Sequence, residues 1–416
     1  MASESNWLNI DRPCFFQVLR VSGAHRRSFP SEGSPGAEPG ARNSHRTAAV
    51  LLGVLILLAA IVVAAPYLNS ALRQGYSLLS GSSTTGLVTV TSTGQSNSTG
   101  ATSTTTPACS SVVDIEALAN PVIVNGSANI AYPPDYCTLA SYALGQINSD
   151  RAANGTGPVA LDYNQAAQQH ADSMLYFGYF SHYDTQGYKP YMRYTLLGGR
   201  GADSENVAYF CYSVPHFTST GAVESAMQEL EHSMVYNDSA CCNNGHRYNI
   251  LDPLHNFVSI GIAYNSTYVY FDEEFENVYV NLTLSVTSAS SSNPYFVTLR
   301  GAPTESVTAP NSIYIAFDGT PSPESTAQLN AGPHEYGPGT LVGGVLPPTG
   351  FFGGCGQFSS GTTVCAKTWT FTSSSVDIAF SLADFVSNYH AGVYTVYLIT
   401  GSSTESSLTT ISVFVS

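Results

Sequence analysis

The 416-residue chain is poor in charge, since Asp, Glu, Lys and Arg make up 10% of it, against about 25% in an average soluble domain. Basic residues are the scarcest: after residue 66 there are eight Lys and Arg against 25 Asp and Glu. Such an acidic surface repels phosphate backbones, so we expect no nucleic-acid partner. Divalent cations are compatible with this charge. The chain also shows no internal repeat, so nothing in the sequence indicates a solenoid fold.

Long apolar runs are almost absent as well, and the one exception predicts a membrane anchor. Residues 47–65 are 19 residues without a charge, followed by Pro66. A helix of this length spans the hydrocarbon core of a bilayer, which is about 30 Å thick. The run therefore predicts a single transmembrane helix over 47–66.

The flanking charges predict the orientation of this helix. Arg42 and Arg46 precede it, so the positive-inside rule makes residues 1–46 a disordered cytoplasmic tail and the rest extracellular. The expected location is the cell membrane, single-pass. A cleaved signal peptide is the alternative, because Val63-Ala64-Ala65 resembles a cleavage site. The long preceding segment argues against that alternative.

Residues 67–132 are predicted to be an extracellular stalk and linker. Their central part, 80–107, is rich in Ser, Thr and Gly and cannot bury enough apolar surface to fold. N-glycosylation sequons occur only after the apolar run, which predicts a glycoprotein. The sequon asparagines are Asn97, Asn125, Asn154, Asn237, Asn265 and Asn281.

Seven cysteines follow the apolar run, and an oxidising compartment makes disulfide bonds the expectation. We expect Cys355 to pair with Cys365. Weaker expectations pair Cys109 with Cys137, and Cys211 with Cys241 or Cys242. Because the number is odd, one thiol is left over. Cysteine zinc sites are not expected without a CxxC pair.

Residues 133–283 have the patterns of a mixed domain. Leu139, Ala143 and Ile147 form one apolar stripe of a helix that Asp135 is expected to cap. A second helix is predicted to begin at Asp162 and a third to cover 221–234. The runs 258–263 and 268–271 are strand-like. Helices and strands without regular alternation favour an α+β domain.

Four motifs of this region resemble the CAP (SCP-like, cysteine-rich secretory protein) family, of its bacterial and archaeal type. They are the opening helix INSDRAANG, the FSH at 180–182, the SENVA at 204–208 and the GHRYNIL at 245–251, in the family's order. The resemblance implies an α-β-α sandwich with a central cleft. It also implies that the cleft carries two His and two acidic residues, and that the His pair can bind a divalent metal.

The resemblance assigns these roles to His182 and His246 as the histidines, to Glu205 as the first acid and to Glu229 as the second, with Glu231 as the fallback. If the domain is an enzyme, these four residues are its catalytic candidates. His182 and His246 are the metal candidates, with zinc the expected metal. Two imidazoles leave an open coordination shell, but catalytic zinc usually has three protein ligands. A buried hydrogen-bonded network without a metal is the alternative.

Other histidines and one loop complete the predictions for this domain. We expect His170, His232 and His255 to be packing, surface or structural residues. Ser181 lacks a nucleophile elbow, so serine hydrolysis is not expected. The insertion 236–244 is predicted to form a disulfide-stapled loop at the cleft rim.

Residues 290–416 are predicted to form an all-β domain. Alternating runs separated by Pro, Gly and Ser turns indicate about seven strands and a β-sandwich. The stretch around Tyr394 resembles the tyrosine corner of immunoglobulin-like domains. Such domains serve as spacers or adhesion modules, and fold alone does not decide between them.

Three functions follow from these observations. The first is a membrane-anchored extracellular protein that binds a divalent cation and an unidentified glycan, lipid or protein ligand in the CAP cleft. The second is a metal-dependent hydrolase or peptidase that uses the same four residues. The third is a structural envelope or adhesion protein whose cleft has no function.

Overall fold

The computed structural model describes residues 13–18, 132–162, 164–289, 293–333, 335–349, 354–401 and 406–416. The predicted membrane helix at 47–66 and almost all of the predicted tail and stalk lie outside these ranges. Within them, no helix has both the length and the hydropathy needed to cross a membrane.

The first domain is built on one five-stranded sheet. Its elements are β1 (Pro13–Val18), α1 (Tyr136–Ala153), β2 (Ala160–Asp162), α2 (Ala166–Phe177), α3 (Pro190–Leu196), β3 (Ala202–Tyr212), α4 (Thr220–Tyr236), α5 (Ser239–Cys242), α6 (Gly245–Ile250), β4 (Phe257–Tyr264) and β5 (Tyr268–Asn277). The strand order is β1-β3-β5-β4-β2, and only β2 and β4 pair in parallel. Predicted and observed fold class agree in that this domain mixes helices and strands.

The two faces of the sheet are packed by different helices. Leu139 of α1 and Leu230 of α4 join one core with Phe271 and Phe275 of β5. Met174 of α2 packs against the opposite face in a separate cluster. Because side chains alternate along a strand, the odd-numbered residues of β5 face α1 and α4, and the even-numbered ones face α2 and α3.

Helix α2 lies very close to the sheet where β4 has a glycine. A Cβ placed on Gly261 would be 2.1 Å from the carbonyl oxygen of Ala167. Gln168, the next residue of α2, completes the contact: its side-chain amide donates to the Ile262 carbonyl at 2.9 Å and its Oε1 accepts from the Ile262 N–H at 3.0 Å. The absence of a side chain at 261 therefore sets the helix-to-sheet spacing.

Two predicted helix starts differ from the structure. Asp135 precedes α1 as expected, but its carboxylate makes no cap and instead accepts from Thr220 Oγ1 and Tyr264 Oη. Those two long-range hydroxyls compete successfully with the local backbone N–H groups. Asp162 does not begin α2, because it is the last residue of β2; the helix starts at Ala166.

The second domain is a sandwich of two sheets. Its elements are β6 (Val280–Ala289), β7 (Asn293–Pro303), β8 (Ser312–Asp318), α7 (Thr326–Ala331), β9 (Thr340–Leu346), β10 (Thr362–Cys365), β11 (Thr368–Thr372), β12 (Ser375–Ser381), α8 (Ala383–Tyr389), β13 (Gly392–Thr400), β14 (Ser406–Ser407) and β15 (Ile411–Val415). One sheet has the order β10-β9-β8-β13-β14, with β15 also on β13, and the other β11-β12-β7-β6.

The sandwich prediction is confirmed, with three differences of detail. The strand Val280–Ala289 belongs to the second domain, so the sandwich begins at Val280 and not at 290. There are more strands than the expected seven, and two short helices interrupt them. Tyr394 donates its hydroxyl to the carbonyl of His390 at 2.7 Å, the bond typical of a tyrosine corner.

Disulfide bonds occur in both domains. The predicted Cys355–Cys365 bond is confirmed. Cys137, Cys211 and Cys242 are also disulfide-bonded, and their partner sulfurs lie outside the described side chains. Oxidised cysteines in this number are typical of proteins that fold outside the reducing cytosol.

Candidate functional site

Glu205 of β3 lies at the centre of a buried polar cluster. Its Oε1 accepts the Nδ1–H of His182 at 2.7 Å, and its Oε2 accepts from the Arg193 guanidinium. His170 Nδ1 lies 3.0 Å from the same Oε2 and 3.0 Å from Asp272 Oδ2. The structure thus joins the predicted pair His182 and Glu205 to three residues that were not predicted as site residues.

The charge of this cluster is set by Arg193. Burial by itself would raise the pKa of Glu205, but Arg193 and the neighbouring histidines outweigh it and hold that pKa well below its usual range. Glu205 is therefore an ionised acceptor. Burial, followed by the Arg193 charge, lowers the pKa of His170, which keeps this imidazole neutral.

The second predicted histidine, His246, is oriented by Asp238. Its Nδ1–H donates to Asp238 Oδ1 at 2.7 Å. Asp238 Oδ2 accepts the backbone N–H of His246 at 2.9 Å and that of Arg247 at 3.3 Å, at the start of α6. Burial lowers the pKa of His246 and outweighs the hydrogen bond and the charge of this carboxylate. The imidazole is neutral, with its lone pair on Nε2.

Both predicted histidines therefore have the orientation of metal ligands. A carboxylate on Nδ1 fixes the tautomer and leaves Nε2 as the coordinating atom, as in carboxylate–histidine–zinc arrangements. The Nε2 of His246 is buried and has no hydrogen-bond partner among the described residues. A buried imidazole nitrogen without a partner is costly, and a bound cation would remove that cost.

Among the described residues, two groups of side chains come close enough to hold a metal, and each has a feature that disfavours one. Asp238, Cys242 and His246 form the first group, but the Cys242 sulfur is in a disulfide and so offers no thiolate. His170, Glu205 and Asp272 form the second. There the Arg193 guanidinium already supplies the positive charge, and its Nη2 lies 3.1 Å from His170 Nδ1. His182 belongs to neither group, so a metal site shared by His182 and His246 stays a prediction.

The predicted second acid, Glu229, is not in the site. It is exposed on α4, whereas the fallback Glu231 is 2% exposed. Glu231 pairs with Glu273 of β5; burial first and then Glu273 raise the pKa of Glu231 well above its usual range. Two residues along a helix correspond to a rotation of about 200°. Misplacing the motif by two residues on α4 therefore exchanges its buried face for its exposed face.

The other predicted histidines are outside the metal arrangement, as expected. His255 is buried, with Nδ1 2.8 Å from Asn277 Oδ1 and Nε2 3.0 Å from Asn249 Oδ1. His232 is exposed and packs on Tyr236. His170 is the exception, because it contacts Glu205 directly and is more than a packing residue.

Three site residues had no recognisable signal in the sequence. Asp238 lies in the insertion 236–244, which was expected only to line the rim. Arg193 and Asp272 lie in segments that carry no motif. Alternation in the acidic run of β5, Asp272-Glu273-Glu274, would have placed two carboxylates on one face, but nothing local shows that this face is buried.

The site is closed in this structure. His182, Glu205 and His246 are each 0% exposed. The second domain provides part of the cover, because Tyr336 lies with its ring centroid 4.8 Å from that of His182.

Comparison with known proteins identifies the first domain. Residues 144–281 match the model of a family described as the cysteine-rich secretory protein family, CAP. This match covers the four motifs described above and confirms the resemblance. A search of curated proteins finds no match to the chain.

Proposed function

Residues 144–281 thus form a domain of the cysteine-rich secretory protein (CAP) family. On this premise we propose that the domain is a binding module that holds a divalent cation between His182 and His246. The observation that carries the proposal is the buried Nε2 of His246, which has no hydrogen-bond partner among the described residues, while Asp238 holds Nδ1. His182 is oriented in the same way by Glu205. Imidazole ligands suit zinc, as they do copper, iron and nickel.

A cation with two imidazole ligands has positions left for atoms of a ligand. When bound, it would act as a Lewis acid that attracts an oxygen or nitrogen of that ligand. The chain's own residues lower the pKa of His246, hold Nδ1 of each imidazole with a carboxylate and bury both rings. Each of these effects favours tight and selective binding.

Binding is favoured over hydrolysis by the state of Glu205. A general base works best when its pKa lies near the operating pH, but the pKa of Glu205 is held well below its usual range. Both of its oxygens are also occupied, one by His182 and the other by Arg193. Turnover that is abolished by Glu205→Gln in a folded protein would support the hydrolase instead.

A purely structural cleft is the second candidate, and the complete burial of His182, Glu205 and His246 favours it. Calorimetric titration of the full chain with zinc separates the two. We expect one-site binding that is lost in His182→Ala/His246→Ala and kept in the control His232→Ala, which changes an exposed histidine. A folded protein that binds no zinc, or a double variant that binds as well as the original, would favour the structural role.

The extracellular location and the single-pass anchor are part of the same proposal. The uncharged run 47–65 and the one-sided sequons support them, and so do the disulfide-bonded cysteines. One feature competes with the anchor: strand β1 pairs antiparallel with β3, Phe16 opposite Phe210. A helix at 47–66 would place β1 and the CAP domain on opposite sides of the membrane, so the two are mutually exclusive.

Alkaline extraction of membranes combined with protease protection distinguishes these arrangements. An anchored protein stays in the membrane pellet, and its N-terminal tail is digested only when the cytoplasmic side is opened. A protein whose β1 pairs with β3 has its N-terminus protected together with the CAP domain. A mature N-terminus near residue 66 would instead identify a cleaved signal peptide.

A further inference from the structure

Residues 335–339, which precede β9 of the sandwich, lie against the CAP domain. Tyr336 is 3% exposed, whereas the neighbouring Glu335 is exposed. The side chains around Tyr336 are mainly those of the CAP domain: Tyr191 and Met192 pack against it, with Val393 of the sandwich. A single buried aromatic residue in an otherwise accessible loop is typical of an anchor inserted into a pocket.

Tyr336 contacts both residues of the first predicted pair. The backbone N–H of Glu205 donates to Tyr336 Oη at 2.8 Å. The Tyr336 ring lies 4.8 Å from the His182 ring, at an angle of 58°. Tyr336 is therefore in the place where a ligand of His182 and Glu205 would lie.

The residue after the tyrosine is also recognised by the CAP domain. The carbonyl of Gly337 accepts from Lys189 Nζ at 3.0 Å, and Tyr191 Oη, which donates to Asp318 Oδ2 at 2.7 Å, lies 3.2 Å from the same carbonyl. One phenol and one backbone carbonyl are thus each held by donors of the CAP domain. This combination is what a peptide-binding cleft offers to a short extended segment.

We propose that the loop segment 335–339 is a built-in ligand of the CAP cleft, and that the external ligand of this cleft is a peptide segment with an exposed tyrosine followed by an accessible carbonyl. The inference rests on the proposed binding function and names its ligand class. The loop and the external peptide compete for one place. Access to His182 then requires the loop to leave.

The loop supplies the probe for the first test, a labelled peptide with the sequence of residues 331–339. We expect no binding to the full chain, because its own loop fills the cleft, and binding to the Tyr336→Ala variant. A peptide in which tyrosine is replaced by alanine should bind at least about tenfold more weakly, since buried aromatic anchors dominate such interfaces. Tyr389→Ala is the control, because Tyr389 packs on Phe317 within the sandwich.

The second test measures access to His182 without any metal. Diethyl pyrocarbonate labelling, read by mass spectrometry, should leave His182 unmodified in the full chain and modify it in Tyr336→Ala. The unlabelled peptide should restore protection. Should Tyr336→Ala fail to fold, Tyr336→Phe loses only the hydroxyl and is expected to be labelled ~2- to 10-fold faster than the original.

The outcomes separate the two proposals. If His182 stays unreactive in both folded Tyr336 variants and Tyr336→Ala does not bind the peptide, the inference is overturned even when zinc binds. If the peptide binds and protects His182 but zinc does not bind, the metal proposal fails and the ligand class stands.

Discussion

The two domains differ in what their interiors contain. Among the described residues, every charged side chain in the buried set lies in the CAP domain; they are Arg151, Asp184, Arg193, Asp203, Glu205, Glu231, Asp238, Asp252, Asp272, Glu273, Glu274 and Glu276. The buried polar residues of the sandwich are only Ser and Thr. Burying charge costs free energy. Its confinement to the CAP domain indicates that this domain accommodates chemistry, whereas the interior of the sandwich serves stability.

The largest expected effect comes from removing the cation of the charged interior. Arg193→Met leaves Glu205 and its acidic neighbours without their buried counter-charge, so we expect the free energy of unfolding of the CAP domain to fall by about 3–5 kcal/mol. Urea unfolding measures this. Arg300→Met is the control, because its pair with Asp377 is exposed and should change stability by less than about 0.5 kcal/mol. Equal losses of stability in the two variants would contradict the difference between the buried charge of the CAP domain and the exposed charge of the sandwich.

A similar loss is expected from the apolar interior, but without pH dependence. Phe380 is 1% exposed in the sandwich core, so Phe380→Ala should cost about 3–5 kcal/mol through lost contacts and a cavity. Because no charged side chain is buried among the described residues of that domain, the loss should be the same at pH 5 and pH 8. A loss that changes with pH would show that the two interiors are coupled.

A smaller effect is expected from the residue that orients His246. Asp238→Asn keeps an acceptor but removes the charge beside Nδ1, so we expect zinc affinity to fall by about 10- to 100-fold. Titration calorimetry gives the affinity. Asp384→Asn, on an exposed position of the sandwich, is the matched control. Unchanged affinity in Asp238→Asn would remove Asp238 from the metal arrangement.

The last expected effect is a change in the slope of stability against pH. Burial, followed by Glu205, raises the pKa of Glu274 to about 8, so the folded protein holds a proton that the unfolded chain releases. Stability from this group is present at low pH and is lost as the pH rises through the folded pKa. Glu274→Gln should remove this loss. Relative to the original protein, the variant should gain up to about 1.4 kcal/mol of stability for each pH unit as the pH rises toward 8.

Thermal unfolding between pH 5 and pH 8 checks this change. Glu229→Gln, on the exposed face of α4, should leave the pH dependence as it was. If both variants keep the original slope, the proton is held elsewhere in the acidic cluster.

The motifs predicted His182, Glu205 and His246 because family patterns record which residues meet in the cleft. They could not distinguish Glu229 from Glu231, since a shift of two residues on a helix leaves the pattern similar while it reverses the face. Tyr336 could not be predicted at all. It meets Glu205 across 131 residues and from another domain, and no local pattern carries that information.

The sandwich was predictable as a fold because alternation and turn residues are local signals. The predicted boundaries divided its first strand, with 280–283 in the preceding domain and 284–289 in neither, since Val280–Ala289 follows β5 after only a short connection and alternates in the same way. The charged interior was the least predictable feature. A run of acidic residues in a sequence usually indicates a solvated surface, and only the three-dimensional arrangement around Arg193 shows otherwise.

Gly261 has no side chain, yet its close contact with α2 affects the charge of the site. Any side chain there would meet the backbone of α2, which cannot rotate away as a side chain can, so the whole helix would have to shift. His170 lies on that helix, three residues after Ala167, and would move with it away from Glu205 and Asp272. The electrostatic balance around Glu205 of β3 thus depends on the absence of a side chain at Gly261 of β4.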